Sequence, residues 1–161
     1  MTGLDAFTDV LDYPMYVVTA AVDGERAGCL VGFASQCSID PPRFMVWIST
    51  ANRTYRVARR ASHLAVHTLR REQGRMAELF GGRTGDDIDK FGRVAWSPGH
   101  GGAPVLLDSC AWLVGRVEAH AEGGDHVGFL LAPVAESPPG PARPPLLRFS
   151  DVRGLSPGHP A

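Results

Sequence analysis

The sequence predicts a mainly β fold, an antiparallel barrel carrying short helical insertions. Three observations lead there. Many segments have strand composition, an Asp23-Gly24 pair marks a tight hairpin, and three short helical segments interrupt the strands without a regular strand–helix–strand alternation.

YPMYVVTAAV (13–22) reads as a first strand, because Tyr, Val and Thr suit a pleated surface. Asp23-Gly24 turns it back, so that 26–34 returns alongside. MVWIST (45–50) follows the Pro41-Pro42 corner as a third strand. ANRTYRVARRA is helical: Asn52 suits the N-cap, and Arg53, Arg56 and Arg60 fall on one side at i, i+3, i+7 spacing. HLAVHTL (63–69) again has strand composition, and GRMAELFGG (74–82) is a short helix closed by Gly81. Thr84 and Asp87 resemble a capping box with Asp in place of Glu, opening a further short helix that ends near Gly92.

CAWLVGRVEAHAE (110–122) and HVGFLLAPVAE (126–136) read as long strands joined through Gly123-Gly124. SPPGPARPP (137–145) is too rigid and too poor in N–H donors for a central strand and is read as a loop. PLLRFSDVRGL (145–155) supplies a last strand. The whole of 1–161 is expected to be one domain with loose termini at 1–10 and 156–161.

Composition excludes several function classes. At 161 residues and 17.2 kDa, with 44% hydrophobic and 20% charged residues, the chain can bury a core without a disulfide or metal staple. A net charge of −1 lacks the basic excess of a nucleic-acid partner. No apolar run reaches the roughly 18 residues of a membrane span. The opening MTGLDAFTDVLDYP has no basic region of the kind that starts a secretory signal. Cys29, Cys37 and Cys110 are odd in number and widely spaced, which reads as free thiols in a reducing cytoplasm.

The stretch GCLVGFASQCSIDPPRF (28–44) is unusual for a strand. It places Gly28, Gly32, Ala34, Ser35 and Ser38 where bulk normally packs, and small side chains let something approach the backbone. One strand later, Ala51-Asn52-Arg53-Thr54 begins a helix, whose free N–H groups and partial positive charge favour an anion. A flat ring against the first segment and a phosphate at the second is what a flavin nucleotide needs.

The ordered series Y-P-x-x-V-V-T-A, D-G-E-R-A-G, S-Q-C-S-I-D-P-P, A-N-R-T, the Gly-Asp-His triplet at 124–126 and a closing P-L-L-R-F resembles the flavin reductase-like, FMN-binding split-barrel family from Tyr13 to Leu155. That resemblance implies a six-stranded antiparallel split barrel, a homodimer, and FMN (or FAD) held near the dimer interface and reduced by NADH or NADPH. It implies flavin-ring contacts from Val31, Gly32, Phe33, Ala34, Ser35, Gln36 and Cys37, phosphate contacts from Ser49, Asn52, Arg53 and Thr54, and a nicotinamide-side role for His126. Leu30 and Phe33 replace a Thr and Ser pair found in many members, which leaves the backbone as the main ring contact here.

The implied function is a cytoplasmic NAD(P)H-dependent flavin reductase serving a partner monooxygenase or another electron acceptor. A non-catalytic FMN-binding carrier, or an oxidase acting on an organic substrate, would use the same scaffold. Other motifs read more plainly. Arg56, Arg59 and Arg60 form a solvated helix face. His63 and His67 lie in a strand without a third ligand, so no metal is expected. Lys90 and Phe91 either line the mouth of a flavin site or close a short helix, the second being the plainer reading, and Gly99–Gly102 lack the strand-to-helix setting of a phosphate loop.

Overall fold

The computed structural model describes residues 3–82 and 89–155. Its centre is one seven-stranded antiparallel sheet, curled on itself. The strands are β1 (Tyr16–Val22), β2 (Glu25–Val31), β3 (Ala34–Ser38), β4 (Arg43–Ser49), β5 (His63–Thr68), β8 (Ala111–Glu122) and β9 (His126–Glu136), in the order β2-β1-β5-β8-β9-β4-β3. A separate ribbon pairs β6 (Trp96–Pro98) with β7 (Pro104–Leu106). Four short helices, α1 (Asp5–Thr8), α2 (Arg53–Ala58), α3 (Gly74–Gly81) and α4 (Phe149–Val152), complete the described chain.

The first hairpin forms as its turn chemistry dictates. Asp23 and Gly24 take φ of 51° and 81°, which matches the right-handed twist of the strands, and Val22 pairs with Glu25. The concave face buries Val18, Cys29, Val31, Val46, Ile48, Leu64, Phe129 and Leu131, with α2 contributing Val57 and Ala58. A second cluster under α3 gathers Met15, Val17, Leu69, Phe80, Phe91 and Leu147.

Two expectations are corrected. The ribbon read as one small-residue strand is two: β2 ends at Val31, the chain crosses at Gly32-Phe33, and β3 begins at Ala34 on the opposite end of the sheet. This crossing closes the barrel without a β2–β3 ladder and raises the strand count of the main sheet from six to seven. Second, 145–155 is not a strand. Residues 146–148 make single bridges to Arg70 and Pro14, and the chain then turns into α4, where the Asp151 carboxylate accepts the Arg148 N–H at 2.9 Å. The Thr84–Asp87 capping box falls outside the described residues. Asp89 instead caps a 3-10 turn over Lys90–Arg93 by accepting the Phe91 N–H at 3.1 Å.

Candidate functional site

The crossing at Gly32-Phe33 lies on a cleft of about 220 Å³ lined by Tyr13, Met15, Cys29, Leu30, Val31, Gly32, Phe33, Trp47, Ser49, Asn52, His126 and Phe149. Sheet register brings its polar end together: Ser49 on β4 pairs with His126 on β9. The Gly-Asp-His turn is fastened to the end of β4, because the Asp125 carbonyl accepts from Thr50 N at 2.9 Å. His126 Nδ1 lies 2.7 Å from Asp125 Oδ1, and this hydrogen bond holds the Asp125 carboxyl below the usual carboxylate range. With Nδ1–H directed at Asp125, Nε2 of the neutral ring is the acceptor.

The predicted ring contacts divide. Val31 faces the core and is 4% exposed, so only its backbone serves the cleft. Gly32 and Phe33 line the opening, and the Phe33 carbonyl accepts from Trp47 N at 2.9 Å. Ala34, Ser35, Gln36 and Cys37 follow on β3, which among the described residues is ladder-paired to β4 alone, with Ser35, Gln36 and Cys37 exposed. An edge strand of this kind presents backbone donors and acceptors to whatever lies beside it.

The glycines answer a different need from the one expected. A Cβ on Gly28 would sit 2.8 Å from the Phe80 ring, and one on Gly32 would sit 2.5 Å from Tyr13. Both small residues therefore make room for the protein's own aromatic rings, and the open surface begins at Phe33.

The helix start is likewise partly committed. Asn52 lines the cleft, and its side-chain oxygen caps α2 by accepting Thr54 N at 2.9 Å. Ser49 Oγ accepts Ala51 N at 3.3 Å. Thr54 is buried and its hydroxyl meets Cys29, whose thiol is pushed up to about 11 by burial. Arg53 turns back to the first hairpin, donating to the Arg26 carbonyl and to the Glu25 carboxylate, each at 3.1 Å. Of the four predicted phosphate residues, Ser49 and Asn52 line the cleft while the side chains of Arg53 and Thr54 point elsewhere.

Sequence reasoning missed three rings. Tyr13 stacks on Phe149 with centroids 5.1 Å apart, and Trp47 packs over Gly123 and Gly128. The Gly-Gly turn and the aromatic after the Pro-rich loop were the available signals. Lys90, expected to close a helix, is 5% exposed, and its Nζ donates to the carbonyls of Gly28 and Phe80 at 3.0 and 3.2 Å. It thus braces β2 directly behind the cleft wall, and burial lowers its pKa from the ordinary lysine value. Among the described residues no cluster of three or more His, Cys, Asp or Glu stands ready for a metal, and no helix is long and apolar enough to cross a membrane.

Comparison with known proteins follows the same lines. An FMN reductase (NADH) of Rhizobium rhizogenes is 36% identical over 109 residues, covering 65% of this chain and 62% of that protein. The reductase component of a 4-hydroxyphenylacetate 3-monooxygenase from Klebsiella oxytoca is 33% identical over 113 residues, covering 70% and 63%. This chain therefore spans less than two thirds of the length of either, and 36% of a relative from Rhizobium meliloti. Among solved structures, the NADH:FAD oxidoreductase of Streptomyces globisporus, in complex with NAD and FAD fragments, superposes with a TM-score of 0.77 at 25% identity, covering 88% of this chain and 82% of that one. The flavin reductase like domain matches residues 9–155, which takes in every strand and the entire cleft, and the chain belongs to that family.

Proposed function

We propose that the whole chain is one flavin reductase domain that binds FMN along the β3 edge and cleft, and uses NADH or NADPH to reduce it. The observation carrying this reading is the convergence, at one chain crossing, of an edge strand, a polar end at Ser49 and Asn52, and His126 fixed by Asp125. FMN fits these residues. Its ring would lie against the backbone of 33–37, whose outer side has no ladder partner among the described residues, and its polar tail would meet Ser49 and Asn52.

When bound, the flavin supplies the redox chemistry by accepting a hydride from the nicotinamide. The protein's own residues bind and orient. The Phe33 backbone is pinned by Trp47, so the crossing keeps a fixed height against a bound ring. His126 lines the cleft with Nδ1 anchored on Asp125, and Lys90 stands buried behind the wall, where its ammonium would favour negative charge on a reduced flavin.

A cleft of about 220 Å³ is smaller than the roughly 300–1,000 Å³ usual for a ligand pocket. A second copy of the chain completing the site, as a homodimer, accounts for that. The relatives that are reductase components of monooxygenases support delivery of reduced flavin to a partner oxygenase. The free cysteines Cys29, Cys37 and Cys110 support work in the cytoplasm.

Mixing purified protein with FMN and either nucleotide without oxygen tests the reading. Loss of the oxidised flavin's visible absorbance supports it. Tight FMN binding with no bleaching would reduce the function to that of a flavin carrier.

A further inference from the structure

Four rings stand in file along the cleft: Phe149, Tyr13, Phe33 and His126. Three are fastened. Phe149 and Tyr13 stack at an interplanar angle of 16°, and the residues beside them are tied by Asp12, whose carboxylate accepts from the amide and hydroxyl of Ser150. His126 is held through Nδ1. Phe33 differs: the residue is 53% exposed, and its ring meets Tyr13 and His126 at tilted angles of 57° and 48°, with centroids 6.3 and 5.1 Å away. A phenyl group has no polar anchor, and exposed side chains change rotamer within nanoseconds. Of the four, Phe33 is the ring that can leave its place without breaking a hydrogen bond or a stack.

Hydride transfer needs the donor ring face to face with the flavin, with reacting atoms about 3–3.5 Å apart. Phe33 stands between Tyr13 and His126 in the lining of the cleft. Resting on the flavin reductase reading, we propose that Phe33 is the specificity-determining residue for that second ring. Its phenyl covers the place between Tyr13 and His126, and the nicotinamide binds only as the phenyl swings aside. The flavin is held by other groups, namely the backbone of 33–37 and the polar end at Ser49 and Asn52. The closed cover therefore weakens the apparent affinity for the second ring according to the fraction of time it is open, and leaves flavin affinity alone.

Calorimetric titration of FMN-loaded protein with NAD⁺ and NADP⁺, which bind without reacting with oxidised flavin, tests this in the wild type, Phe33→Ala and Phe33→Trp. The expected result is about threefold tighter dinucleotide binding for Phe33→Ala and about threefold weaker for Phe33→Trp, with FMN affinity within about twofold in all three. KM for the reduced nucleotide should follow the same order. The exposed position keeps folding out of the comparison, and equal melting temperatures check this. Unchanged or undetectable dinucleotide affinity across the three overturns the assignment, as does an FMN affinity that falls about tenfold in Phe33→Ala. Failure of the wild type to take up FMN at all overturns the reading of the cleft itself, a separately visible outcome.

Discussion

His67 accepts the backbone N–H of Leu106 on Nε2 at 2.9 Å, joining the main sheet to the β6–β7 ribbon. Its other nitrogen, Nδ1, lies 2.9 Å from the Val17 carbonyl, so the neutral ring with its proton on Nδ1 satisfies both neighbours at once. The ring is fully buried.

Acid should loosen the fold through this ring. Burial, partly offset by the hydrogen bond to Val17, lowers the His67 pKa from 6.5 to about 4. The folded protein keeps the ring neutral down to about pH 4, whereas the unfolded chain takes up a proton below about 6.5. Between those values the unfolded state binds more protons. The stabilisation is therefore complete above about pH 6.5 and is lost as pH falls, by about 3 kcal/mol at the lower end. Melting temperatures from pH 7 to 4.5 should show a decline that His67→Phe flattens. That variant should also start about 1–3 kcal/mol less stable at pH 7, because the Leu106 amide loses its acceptor. A wild-type decline no steeper than the variant's would rule the idea out.

Gly28 should resist enlargement because Phe80 fills its space. Gly28→Ala is expected to cost about 1–3 kcal/mol in denaturant unfolding. Combining it with Phe80→Leu should cost less than the sum of the two single changes, since the ring edge 2.8 Å from the added carbon is then gone. Additive costs would show that Phe80 is not what the glycine accommodates.

At the start of α2, Asn52 and Arg53 should separate. Asn52→Ala removes a cap and a polar group of the cleft, and should cost about 1 kcal/mol of stability and weaken FMN binding severalfold. Arg53→Ala removes an ion pair with an exposed Glu25 and a hydrogen bond to the Arg26 carbonyl, should cost about 1–2 kcal/mol of stability, and should leave FMN affinity within about twofold. Fluorescence titration of FMN decides the matter, and a larger loss from Arg53→Ala would return that guanidinium to the phosphate.

Lys90→Ala should destabilise the fold by about 2–4 kcal/mol, because the buried carbonyls of Gly28 and Phe80 lose their donor and the alkyl stem leaves a cavity. Lys90→Met keeps most of the volume and should recover part of that loss. Equal stability of all three proteins would mean that Lys90 braces nothing.

Local chemistry by itself determined a good deal. The Asp23-Gly24 hairpin, the Asn52 cap, the long pair β8–β9 and the succession of antiparallel strands follow from turn conformation, side-chain capping and β-branched content, all of which act within a few residues. The ordered motifs also placed Ser49 and His126 in one site, which the β4–β9 register accounts for.

Tertiary structure alone decided the rest. A run of small residues signals that something approaches, and only the packed fold identifies Phe80 and Tyr13 as the groups that do. The break at Gly32-Phe33 depends on which sheet edge the next segment joins. The direction of Arg53 depends on Glu25, 28 residues earlier. The burial of Lys90 depends on β2 and α3 meeting above it. Each is a contact between distant parts of the chain, and such contacts are set by competition for space and partners, which residue order records only indirectly.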